Sequence, residues 1–283
     1  MDSGTRRLTL QVLFVALASV TTVIAVPFVT RPEIVWSEMN GLLLAGTLGM
    51  TAAVFCHAAV MIGPRNAGVL LVVAFGVSLG AEHTGVRWAI PFGYTYEYHA
   101  ALGPKLLGTV PLFIPLSWFV LAYAPLVLLW RYDVRPGGRL SARRLVVKAL
   151  FAALFLTAAD FFLDPLATSV NAWTWQGGGP YLGIPTLNFV GWFLVGYVIY
   201  TAYLLLERPP SDVGWVHHRA VDAALVVVLI VYGGLSIAAL LQRVGSAVPI
   251  LVTVAVMGPY WLYWYVRERR ARERTRSFPT GEG

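Results

Sequence analysis

The 283 residues are 58% hydrophobic and only 12% charged, with a mean hydropathy of +0.69. A soluble domain carries about 25% charged residues, so the composition excludes a soluble globular protein and predicts an all-α, polytopic membrane bundle. The net charge of +7 does not indicate nucleic acid, because the basic residues fall in short loops and a tail, and the single Cys56 excludes a disulfide or a cysteine-based metal site.

A membrane-crossing helix takes about 20 mostly apolar residues. Eight such runs follow one another at 8–29, 41–62, 66–82, 110–130, 145–165, 185–206, 220–241 and 247–266. The first is read as a span rather than a signal peptide. Its apolar stretch exceeds a typical h-region, and no small-x-small cleavage site follows. Together the runs make one transmembrane domain, 1–266, and leave a basic tail, 267–283, expected to be disordered. With the N-terminus in the cytoplasm, the inside segments hold 17 of the 21 basic residues. That bias predicts both termini inside, in a multi-pass protein of the cell membrane.

The second run contains His57 beside Cys56, read as a packing histidine beside a small buried residue. The third ends on Glu82-His83. A loop rich in Gly, Pro and aromatics follows, including Pro91-Phe92-Gly93-Tyr94 and Tyr96-Glu97-Tyr98. The fifth run ends on Asp160-Phe-Phe-Leu-Asp164-Pro165. Beyond it a second such loop carries Trp173-Thr174-Trp175 and leads to Asn188 and Trp192. His217 and His218 belong to a basic segment and are read as solvated.

Acids at membrane depth are expensive, and their default reading is functional. Spans three and five run in the same direction, which places Glu82, Asp160, Asp164 and both loops toward one face, the outer one. Four residues apart, the two aspartates share a helix face one turn from each other. Their repulsion favours one protonated and one ionised group, the pairing that a general acid and a general base need. Pro165 is expected to end the helix, with Asp160 on the order of 7 Å below the end of its span. Glu82 is a third site carboxylate with His83 as its neighbour, or else an interfacial polar cap or the partner of Arg87 in an ion pair. Aromatic rings suit a cationic intermediate and a flat polyene alike. The Asp-x-x-x-Asp spacing resembles the second aspartate motif of intramembrane prenyltransferases. Loop 166–184 has no basic residue to hold a diphosphate, however, and no metal is expected.

The ordered motifs are similar to those of the membrane carotenoid hydratases. This family includes the bisanhydrobacterioruberin hydratases of haloarchaea and the carotenoid 1′-hydratases of some bacteria. One block is Glu82-His83, Ile90-Pro91-Phe92-Gly93-x-Tyr-x-Tyr96, Leu102-Gly103-Pro104 and Val110-Pro111, ending at Trp118. The other is Asp160-x-x-Leu163-Asp164-Pro165, Trp173-x-Trp175 and Tyr181-x-Gly183-Ile184-Pro185-x-x-Asn188-Phe189-x-Gly191-Trp192. The resemblance covers roughly residues 76–206. It implies addition of water to the terminal double bond of an acyclic ψ-type carotenoid end, giving a tertiary alcohol without a cofactor. On that reading Asp160, Asp164 and Glu82 are catalytic. Tyr94, Tyr96, Phe92, Trp173, Trp175, Trp192 and His83 line the substrate site, and Asn188 holds the water. The expected partners are a carotenoid, the lipid bilayer and other enzymes of carotenoid biosynthesis. Competing readings are another carotenoid- or prenyl-modifying membrane enzyme, a proton-coupled transporter and a non-catalytic pigment-binding protein.

Overall fold

The computed structural model describes residues 36–130 and 141–208, with scattered positions before 36 and from 241 to 266. Among the described residues five helices dominate: α1 (Trp36–Met61), α2 (Pro64–Trp88), α3 (Phe113–Trp130), α4 (Ala142–Ser169) and α5 (Thr186–Leu206). Within α1, the stretch Leu43–Met61 is long and apolar enough to cross a membrane, and so are α2, α4 and α5. The apolar stretch of α3, Phe113–Leu126, is shorter. The chain is thus a mostly helical membrane protein. The predicted spans at 8–29 and 220–241 fall largely outside the described residues, as do the tail, His217 and His218.

The helices pack as one bundle, with α4 against α5, α2 against α3 and α5, and α3 touching α1 and α4. His57 in α1 is buried, and its Nδ1 lies 2.7 Å from the Tyr123 hydroxyl of α3, as a packing histidine should.

Two short antiparallel ribbons stand between the helices. β1 (Tyr96–Tyr98) pairs with β4 (Trp173–Trp175), and β2 (Lys105–Leu106) with β3 (Val110–Pro111). The first joins the loop after α2 to the loop after α4, so the acids of both helices lie at one end of the bundle. Its register sets Tyr96 opposite Trp175, Glu97 opposite Thr174 and Tyr98 opposite Trp173. Successive strand side chains alternate between faces. Glu97 and Thr174 therefore point outward, and the four aromatics share the inner face.

Two boundaries differ from expectation. α2 runs on to Trp88, so Glu82 is not at its end but about 9 Å inside it. Pro165 does not end α4, which continues to Ser169 and leaves Asp160 about 13 Å from its end. A helical proline normally leaves the carbonyl four residues back without its N–H donor. Here that carbonyl is Phe161, and the Tyr181 hydroxyl donates to it at 2.9 Å. Irregular backbone at membrane depth survives only when protein or water satisfies it. The helix tolerates Pro165 because Tyr181 does so.

Close approach of α2 and α5 depends on two glycines. Phe92 is buried between them, with its ring between Gly85 and Gly191. A Cβ on Gly85 would stand 2.5 Å from that ring and 2.9 Å from the Tyr96 hydroxyl, and one on Gly191 would stand 2.5 Å from the ring.

Overpacking of this kind costs about 1–3 kcal/mol. Gly85→Ala and Gly191→Ala should each lower the thermal midpoint in detergent. Gly80→Ala, with open space around the new methyl, should be neutral or stabilising. Equal midpoints for Gly80→Ala and Gly85→Ala would refute the tight seat for Phe92. Tyr181→Phe should cost about 1–3 kcal/mol through the orphaned Phe161 carbonyl. Most of that loss should vanish in a Pro165→Ala background, where a backbone N–H returns. An undiminished loss there would break the link between Tyr181 and Pro165.

Candidate active site

Three carboxyl groups lie buried near one another, and two of them, Glu82 and Asp164, take donors from the inner face of the β1–β4 ribbon. Glu82, Asp160 and Asp164 are 4%, 0% and 1% exposed, so each depends on protein donors. Glu82 Oε2 accepts the hydroxyls of Tyr96 and of Tyr98, the latter at 2.7 Å, and its Oε1 accepts the Trp118 indole N–H at 2.8 Å. Asp164 Oδ1 accepts the indole N–H groups of Trp173 and Trp175 at 2.5 and 3.4 Å. The Asn188 amide nitrogen donates to Asp160 Oδ2 and to Asp164 Oδ2, both at 2.8 Å.

The two strands thus divide the work. Tyrosines at alternate positions of β1 serve Glu82, and tryptophans at alternate positions of β4 serve Asp164. Cross-strand ring contacts join the halves: Tyr96 and Trp175 have centroids 4.6 Å apart, and Tyr98 and Trp173 5.9 Å. Burial, reinforced by the Glu82 charge, holds the Tyr96 and Tyr98 phenols well above the usual tyrosine range. Both remain donors at neutral pH.

The predicted aspartate pair does share one helix face, where Asn188 bridges it from α5. A side-chain amide has two N–H bonds, and in Asn188 both go to carboxyl groups. Phe92 supports Tyr96 edge-on, with centroids 5.8 Å apart. Trp192 stacks on Trp118 at 4.0 Å, behind the indole that serves Glu82. Phe161 and Phe189 stack at 3.9 Å, with Tyr181 edge-on to both.

Two expected residues stand apart from the acids. Tyr94 precedes β1, in the turn set by Gly93 at φ 80°, and is 44% exposed. The alternation that aims Tyr96 and Tyr98 inward does not reach it. His83 follows Glu82 directly on the helix, and consecutive helical residues do not face the same way. Its Nδ1 meets the Thr109 hydroxyl at 2.8 Å, and its ring lies edge-on to Trp88. The Glu82–Arg87 pairing is replaced by the three donors already named. Sequence reasoning passed over Tyr98, Trp118 and Tyr181 as site residues. The repeated aromatic-x-aromatic pattern of 96–98 and 173–175 was the signal for Tyr98 and for the ribbon.

Such a cluster of buried carboxyl groups among aromatic side chains can hold and move a proton. The chain belongs to the family described as "Carotenoid biosynthesis protein", which matches residues 41–259. It is also similar to the bisanhydrobacterioruberin hydratase of Haloarcula japonica, at 35% identity over 137 residues. That match covers 47% of this chain and 43% of the relative, so it spans less than half of the curated protein. No solved structure matches the chain.

A hydrogen bond to a charged group contributes about 1.5–3 kcal/mol. Tyr98→Phe and Trp118→Phe should each destabilise the detergent-solubilised protein by that order. Tyr94→Phe should stay within about 0.5 kcal/mol of wild type. A Tyr94→Phe loss as large as that of Tyr98→Phe would contradict the division between the ribbon and the turn.

Proposed function

We propose that the chain adds water across the terminal double bond of an acyclic ψ-type carotenoid end, giving a tertiary alcohol. The observation that carries this reading is the Asn188-bridged Asp160/Asp164 pair beneath four aromatic rings, in a chain of a carotenoid biosynthesis family. The similarity to a protein named as a hydratase supports it.

Addition of water to a trisubstituted alkene begins with protonation, which leaves a cation on the carbon bearing two methyl groups. One aspartate supplies the proton, and water then attacks the cation. The ring faces of Tyr96, Trp173 and Trp175 stabilise the positive charge. The donors to the acids among the described residues are neutral indole, phenol and amide groups, which leave the carboxylate charge to act on the cation. The reaction is redox-neutral and invokes no cofactor. A long polyene spans the bilayer, so its end reaches an interface where water is available.

The chain is a multi-pass protein of the cell membrane with eight spans, both termini in the cytoplasm and the site toward the outer face. Its partners are the carotenoid, the bilayer and enzymes acting on the same pigment. The bias of 17 of 21 basic residues toward one side supports that topology.

Proton transfer by a positioned side chain is worth typically 10²–10⁴-fold. In cells supplied with the anhydro carotenoid, the wild-type chain should raise the pigment mass by one or two waters. Asp160→Asn and Asp164→Asn should each reduce that product by about 10²-fold or more. Undiminished product in both variants would sink the assignment.

A further inference from the structure

We propose that Asp160 carries the transferable proton, while Asp164 and Glu82 are ionised carboxylates that position the site and balance the developing cation. The assignment of proton donor rests on the hydration reading above; the location of the proton does not.

The donors are shared unequally among the six carboxyl oxygens. Glu82 receives three donors, two on Oε2 and one on Oε1. Asp164 also receives three, two on Oδ1 and one on Oδ2. Asp160 receives one, on Oδ2. Its Oδ1 is buried with no hydrogen-bond partner among the described residues. A buried carboxylate needs several donors to offset its lost hydration. A neutral carboxylic acid needs fewer: one oxygen accepts as a carbonyl, and the other carries the proton. Asp160 has the second pattern, and Asp164 and Glu82 have the first. Asn188 cannot even the score, because both its N–H bonds are already used. Two carboxylates one helical turn apart repel, which also favours one shared proton, and the donors decide which group takes it.

The step balances without a further reagent. The proton leaves Asp160 Oδ1 and bonds to the alkene carbon bearing hydrogen, using the π electron pair. The cation forms on the carbon with two methyls. Water oxygen bonds to that carbon, and the proton it sheds returns to the Asp160 carboxylate. Nothing is oxidised or reduced. Tyr98 and Trp118 act through Glu82 and are positioning residues. Tyr96, Trp173 and Trp175 hold Glu82 and Asp164 through their O–H and N–H groups and turn their ring faces to the cation.

Asparagine is an isostere of neutral aspartic acid but places an N–H₂ where a carboxylate oxygen would accept. This separates the two aspartates by experiment. Infrared spectra of the full chain in lipid nanodiscs should contain the C=O stretch of a buried neutral carboxylic acid. Burial raises Glu207 to about 7, so the spectra are taken well above that pH to keep it ionised. Asp160→Asn should abolish the band, keep a thermal midpoint close to wild type and lose the hydrated pigment. Asp164→Asn should lower the midpoint clearly, because three donors then face an amide. A band that persists in Asp160→Asn, or an Asp160→Asn chain that does not fold, overturns the assignment. A wild-type chain that leaves the pigment mass unchanged refutes the hydration reading instead, and the infrared band still reports where the proton sits.

Discussion

Three acids buried in a helical bundle must be given hydrogen-bond donors, and a ribbon of six residues supplies four of them. That requirement organises the rest of the molecule. β1 and β4 have two tyrosines and two tryptophans on one face, each ending in an N–H or O–H aimed at a carboxyl group. The strands are too short to be stable alone. Their inward face is held by the acids as much as it holds them. Removing either side leaves buried polar groups unpaired at a cost comparable to a sizeable part of a domain's net stability.

The surrounding packing keeps this arrangement in place. Gly85 and Gly191 let Phe92 sit between α2 and α5, directly beside Tyr96. Tyr181 satisfies the Phe161 carbonyl, so α4 passes through Pro165 and carries Asp164 and Asp160 on one continuous face. Trp192 backs Trp118, which completes the donors of Glu82. The result is a polar cluster enclosed by aromatic rings. Such an enclosure suits charge that develops on an apolar substrate.

Local features of this design were legible in the sequence. Apolar runs marked the central helices, and the four-residue spacing of Asp160 and Asp164 gave their shared face. Long-range features were not. Pro165 reads as a helix end unless the donor that replaces its N–H is known, and Tyr181 belongs to a separate loop. The ribbon joins segments far apart in the chain, and only the matching Tyr-x-Tyr and Trp-x-Trp alternation hinted at it. Adjacency to Glu82 suggests that His83 joins the acids, yet helix geometry turns neighbours apart. Asn188 lay within the motif, but its role as a bridge required knowing that both aspartates reach it.

The most direct measurement concerns the ribbon itself. Glu97 and Thr174 face each other on its outer side, away from the acids. Directly opposed residues of this kind have Cα atoms about 5.5 Å apart, within disulfide range. In a Cys56→Ser background, Glu97→Cys combined with Thr174→Cys should crosslink under mild oxidation in native membranes, with the pigment product unchanged. Absence of the crosslink, or its formation only with loss of product, would contradict the claim that this ribbon holds the acids in their working arrangement.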